Sequence, residues 1–167
     1  MAEYGREATI AKLAALRQAD PDTDLSDVTW TGADFAHIAH TQQAREDAAA
    51  HDGSPLLVCD TDSFATTVWE HRYLGPQSHF ARPEAPHRGS IYLVTDHRDV
   101  PFVQDGIRDG EHIRAEMTDW FVEALTRHGR SWVLLTGSLD DRLDLATRVV
   151  GRALAHRATF APPAVMQ

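Results

Sequence analysis

Three short, continuous apolar runs stand out along the chain, at residues 56–59 (LLVC), 91–94 (IYLV) and 132–135 (WVLL). Their length and partly β-branched make-up predict strands covered on both faces of a sheet. Elsewhere the apolar residues recur at helical spacing. Residues 2–18 carry Ile10, Leu13, Ala14 and Leu16 as a stripe and stop at Asp20-Pro21. Residues 20–32 read as a loop. Residues 33–51 predict a second helix, with Phe35, Ile38, Ala39 and Gln42 on one face, Asp34 as a cap or first-turn acid and Gly53 beyond the end. Residues 64–73 predict a third. Residues 111–128 give the clearest amphipathic pattern, through Ile113, Met117, Trp120, Phe121, Ala124 and Leu125, with Gly129 as the stop. A last helix spans residues 139–156.

Strands alternating with helices predict parallel βαβ units, so the expected fold class is α/β, a parallel sheet flanked by helices. Each apolar run leads into polar residues: Asp60 and Asp62, Thr95 and Asp96, then Thr136, Gly137 and Ser138. In a parallel sheet these three ends share one edge, where open α/β folds bind their ligands. Residues 1–156 read as one domain and 157–167 as a flexible tail. Residues 75–89 form a loop containing Pro and His.

Composition narrows the picture. A net charge of −9 argues against a protein that neutralises nucleic-acid phosphates. The single cysteine, Cys59, cannot close an internal disulfide and reads as a small core residue. No run approaches a membrane span, and the first residues lack the basic and apolar regions of a signal peptide. The expected setting is cytoplasmic.

Four places could carry chemistry. Asp60 and Asp62, at a strand's exit, suit Mg²⁺ or the orientation of a hydroxyl, although Asp62 could equally cap the next helix. The stretch VTDHRDVPFVQDGIRDGEHIR sets Arg98, Arg108 and Arg114 among Asp96, Asp99, Asp105 and Asp109. Arginines there could close on phosphoryl oxygens; a salt-bridged surface loop is the plainer reading. LTGSLDDR reads as strand, small-residue turn and helix start, which capping by Ser138 explains well. His37 and His40 lie three apart on a helix without companion metal ligands.

Taken in order, AEYGRE, DFAHIAHTQQAREDAAA, LLVCDTDSFATTVW, YLVTDHRDVPFVQDGIRD and VLLTGSLDDRL resemble the ribosylnicotinamide kinase domain of NadR-type proteins, P-loop kinases of the AAA-like ATP-binding kind. The resemblance runs from Ala2 to about Ala155. It implies a fold like that of nucleoside kinases and transfer of the γ-phosphoryl of ATP, with Mg²⁺, to the 5′-hydroxyl of nicotinamide riboside. Asp60 or Asp62 would then serve the metal or the hydroxyl. Glu3, Tyr4 and Arg6 would lie by the nucleoside, with Trp69 stacked on its pyridinium ring. Asp105 and Arg108 would belong to a closing loop. Arg114 would belong with the nucleotide, and Gly137, Ser138 and Arg142 would sit by the adenine.

One departure is large. The family's strand and GxxxxGK[ST] loop hold the triphosphate, yet no such motif occurs here and the only lysine is Lys12. The expectation is a natural chain that starts earlier than Met1. The 167-residue polypeptide should then show little kinase activity of its own, and it should self-associate through apolar surfaces the lost strand would cover.

Overall fold

The computed structural model describes residues 3–52, 55–82, 90–108 and 110–157. The chain forms two compact units: Met1–Ala85 with Phe102–Ile113, and Pro86–Pro101 with Arg114–Gln167. Gly53, Asp109 and the tail from residue 158 lie outside the described residues.

The first unit is helical. Helix α1 (Tyr4–Ala19) ends as expected before Pro21. Helix α2 (Gly32–His51) starts at a reciprocal cap. The Asp34 amide donates to Thr31 Oγ1 at 3.3 Å, and the Thr31 amide donates to Asp34 Oδ2 at 2.8 Å. Helix α3 (Ala65–Leu74) ends at Gly75, whose φ of +87° is one that glycine adopts without strain. The apolar core is Phe35, Ala39 and Ala81, with Trp30, Trp69 and Leu74 packed against it.

The predicted face of α2 is buried at all four positions. The α1 stripe is not: Leu13 is buried, while Ile10, Ala14 and Leu16 are exposed. A helix packed on one neighbour covers only the part of its stripe that faces that neighbour.

The expected strand at residues 56–59 does not form. The run stays at the surface of the first unit, with Val58 67% exposed, and Cys59 is only half-buried. Polar side chains of α2, rather than a ladder, grip the residues just beyond it. Ser63 donates its amide to Glu46 Oε1 at 2.8 Å and its hydroxyl to Gln43 Oε1 at 2.6 Å. So short an apolar run has no period by which to tell a strand from irregular chain.

Glu70 on α3 is 1% exposed. Its carboxylate accepts the amides of Phe80 and Ala81, each at 2.7 Å, and the hydroxyl of Ser78. It thereby seats Ala81 in the core.

The second unit holds the sheet. Strands β1 (Tyr92–Thr95) and β2 (Trp132–Leu135) are parallel, paired from Tyr92↔Trp132 to Thr95↔Leu135. Helix α4 (Arg114–Arg127) joins them and packs on both; α5 (Leu139–Arg157) packs on β2. This is the predicted parallel βαβ unit. Among the described residues the sheet has two strands rather than three.

Candidate functional site

The first unit gathers residues from three distant stretches. Tyr4 opens α1, and its amide, which a helix start leaves without an internal partner, donates to Gln42 Oε1 at 3.0 Å. Gln42, 2% exposed, uses its other end to donate to the Thr61 carbonyl at 3.2 Å. One buried amide thus ties the first turn of α1 to the Asp60-Thr61-Asp62 segment. Glu3, just before α1, is half-buried, and its pKa is raised, first by burial and then by the negative charge of Asp60; Arg6 pulls it the other way. Arg6 Nη2 donates to Asp105 Oδ2 at 2.8 Å.

Asp105 also accepts the amides of Ile107 (3.1 Å) and Arg108 (2.9 Å) on Oδ1. These two amides, and then Arg6, hold its carboxyl at about 2, below the usual 3.8. The Arg108 guanidinium stays largely exposed, 3.8 Å from Asp105. Arg6, Asp105 and Arg108 are therefore joined by direct contacts on one unit, and Glu3 on the same unit feels the charges of Asp60 and Arg6.

Two expected members have other partners. Asp62 Oδ1 accepts the Ala65 amide at 2.9 Å, capping α3. Trp69 packs on the core, and its ring carries the Arg72 guanidinium at 5.5 Å.

Sequence reasoning missed Thr61. Its φ is 139°, a strained value for a β-branched residue, and its buried hydroxyl has no hydrogen-bond partner among the described residues. Strain of this kind gathers at ligand sites. It also missed the Tyr4 surroundings. The phenol lies 3.1 Å from His37 Nε2, and Arg45 sits 4.6 Å over the ring while forking onto Glu7 at 2.7 and 2.9 Å. Helical spacing could have signalled that Arg45 lies near Gln42, which stands three residues before it on α2, but His37, five residues before Gln42, gives no such signal.

The second unit holds the other expected residues, at the carboxyl ends of its strands. Ser138 caps α5 in a reciprocal pair with Asp141: its amide and hydroxyl reach Asp141 Oδ2 at 3.0 and 2.6 Å. Gly137 has φ +85°, and a Cβ there would lie 2.9 Å from Asp141 Oδ2. Arg142, 5% exposed, donates to the carbonyls of Gly137 (2.8 Å), Asp96 (3.0 Å) and Arg98 (2.5 Å). Arg114 donates to those of His97 (3.0 Å) and Val100 (2.7 Å). Asp96 is buried and held at about 2, chiefly by Arg98, whose Nε donates to it at 2.8 Å. Both Arg114 and Arg142 thus grip the loop after β1 through its backbone.

Residues 1–142 match a family model described as an AAA domain. The chain belongs to the AAA-domain family. No curated protein and no solved structure matches it. AAA domains are P-loop nucleotide-binding domains, which bind their nucleotide with Mg²⁺.

Within residues 1–167 of the AAA domain the motif of the usual triphosphate cradle, GxxxxGK[ST], does not occur. The only lysine, Lys12, donates to Asp34 and the Thr29 carbonyl, each at 2.7 Å. Among the described residues no three acidic, His or Cys side chains are placed to hold a metal. Asp60 with Glu3 could supply at most the one or two carboxylates of a Mg²⁺ ion completed by water and phosphate. The residues present do not fit MgATP as a whole. No helix of the AAA domain, among the described residues, is long and apolar enough to cross a membrane.

This geometry sets two expected outcomes. Gln42→Leu keeps the side-chain volume but strands the Tyr4 amide and the Thr61 carbonyl, so denaturant unfolding should show a loss of about 2 kcal/mol. Glu3 bears on pH. Its folded pKa lies above 4.5, so its ionised form costs stability, and that cost appears as pH rises through the raised pKa. Glu3→Gln should therefore melt higher than the parent at pH 7 and lose the advantage at pH 4.

Proposed function

We propose that this chain carries the acceptor side of an ATP-dependent phosphotransferase whose acceptor is nicotinamide riboside, giving nicotinamide mononucleotide. The observation that carries the reading is geometric: Gln42 ties Tyr4 to Thr61, beside Asp60, while Arg6 of the same helix turn holds Asp105. The stretches that hold Tyr4 and Arg6, Thr61, and Asp105 are three of the five that carry the resemblance to ribosylnicotinamide kinases. A half-buried carboxylate kept beside a second one lowers its energy by taking up a cation. The pyridinium ring of nicotinamide riboside is such a cation on a nucleoside. Arg6 and Arg108 supply forked donors on the same run, suited to phosphoryl oxygens.

What this chain's own residues do is bind and orient the acceptor and place charge near it, which is most of what phosphoryl transfer asks of a protein. A second reading has its own support. With no cradle lysine, and Lys12 engaged elsewhere, the chain by itself suits binding without turnover, as a nucleotide-binding or interaction domain. A P-loop enzyme with another acceptor is a third. The proposed setting is cytoplasmic.

Titration calorimetry with nicotinamide riboside and with uridine, a neutral nucleoside, tests the acceptor. The cationic ligand should bind about tenfold more tightly, and Asp60→Asn should erode the preference. Equal affinity for both nucleosides rejects the acceptor assignment. With ATP and Mg²⁺ added, the 167-residue polypeptide should form no nicotinamide mononucleotide, and robust turnover would reject the reading of the missing cradle.

A further inference from the structure

The segment bearing Asp105 and Arg108 is fastened to two helices of the first unit. At one end Arg6 of α1 holds Asp105 at 2.8 Å, and Ile107 lines an apolar groove with Ile10, Leu13 and Ala14 of the same helix. At the other end lies Gly110, with φ +86°. A Cβ placed on Gly110 would stand 2.7 Å from Nη2, 2.9 Å from Cζ and 3.0 Å from Nη1 of Arg72. The guanidinium therefore occupies the place that a side chain at position 110 would take. It is itself held on α3, 5.5 Å from the Trp69 ring centroid and 4.7 Å from that of Tyr73. Trp69 packs on the core, and Tyr73 stacks on Phe35, a core residue.

We propose that Arg72 is a positioning residue, a cationic brace between two core-anchored rings against which Gly110 is seated, so that Asp105 and Arg108 face the acceptor. Glycine is needed at position 110 for two separate reasons, the positive φ and the close approach of the guanidinium. The rings supply an attraction that a neutral side chain of the same length lacks. Trp69 thus acts on the acceptor through Arg72. The seating of the segment stands on geometry alone; the effect on the acceptor rests on the function proposed above.

The test uses the full chain and residue-level amide exchange. In Arg72→Met the Ile107 and Arg108 amides, which bond Asp105, should exchange about tenfold faster, with amides in α2 unchanged. Arg72→Lys should recover part of the protection, because it restores the cation. Unchanged exchange at Ile107 and Arg108 overturns the brace. If Arg72→Met does not fold, Gly110→Ala decides by the same readout. In the loosened variants the affinity for nicotinamide riboside should fall several-fold, and an unchanged or improved affinity overturns the positioning role. Failure of the parent chain to bind that nucleoside, with the amides still loosened by Arg72→Met, rejects the proposed function and leaves the brace standing.

Discussion

Glu70→Ala should cost about 3–5 kcal/mol of stability. Glu70 is 1% exposed, and its carboxylate takes up the amides of Phe80 and Ala81 and the hydroxyl of Ser78. Alanine leaves those donors without their acceptor: the buried Ala81 amide costs about 1–3 kcal/mol, and the part-buried Phe80 amide and Ser78 hydroxyl cost less. The loss spreads, because Ala81 belongs to the core with Phe35 and Ala39. Glu70→Gln tests the cause. It keeps the shape but sets an NH₂ group against a backbone donor, so about half the loss should remain. Urea unfolding followed through amides of α2 and α3 gives the measurement. A midpoint shift for Glu70→Ala smaller than that of an ordinary surface substitution would show that the carboxylate does not organise residues 78–81.

Arg142→Ala should have a comparable effect in the second unit, about 3 kcal/mol or more. A buried guanidinium there meets three carbonyls, two from the loop after β1 and one from the turn after β2. Their partial negative charges replace the water the cation gave up, and their geometry suits a planar fork. Arg142→Lys offers a point charge on a flexible stem and should restore less than half of the loss. The readout is the protection of the β1 and β2 amides, which pair directly beside those turns. Full protection in Arg142→Ala would mean the carbonyls are satisfied without it.

These two side chains also mark where sequence reasoning stops. Long periodic segments were legible: α2, α4 and α5 lie within a few residues of their expected bounds, and β2 covers the run at 132–135. Helical period and turn chemistry are local properties, written in the residues concerned. The run at 56–59 misled because a strand is defined by its neighbours, which no local pattern records. The exposed part of α1 misled for the same reason.

At the site, the acidic and arginine-rich stretches were visible, but their meeting at Glu3 and Arg6 depends on tertiary structure. Gln42 looked like one more position on an apolar face, and only the folded chain reveals it as the link between Tyr4 and Thr61. The resemblance sets Arg142 by the adenine, and its three bonds to backbone carbonyls become visible only in the folded chain. Thr61 carried no signal at all, since a threonine's φ cannot be inferred from the aspartates on either side.

The most direct test of the central claim maps the bound acceptor. Amide spectra of the ¹⁵N-labelled chain are recorded as nicotinamide riboside is added. The account predicts saturable shifts at Tyr4, Arg6, Thr61, Ile107 and Arg108 together, with Asp105→Asn weakening all of them. Saturable binding whose shifts fall on other residues, or no binding at all, would contradict it.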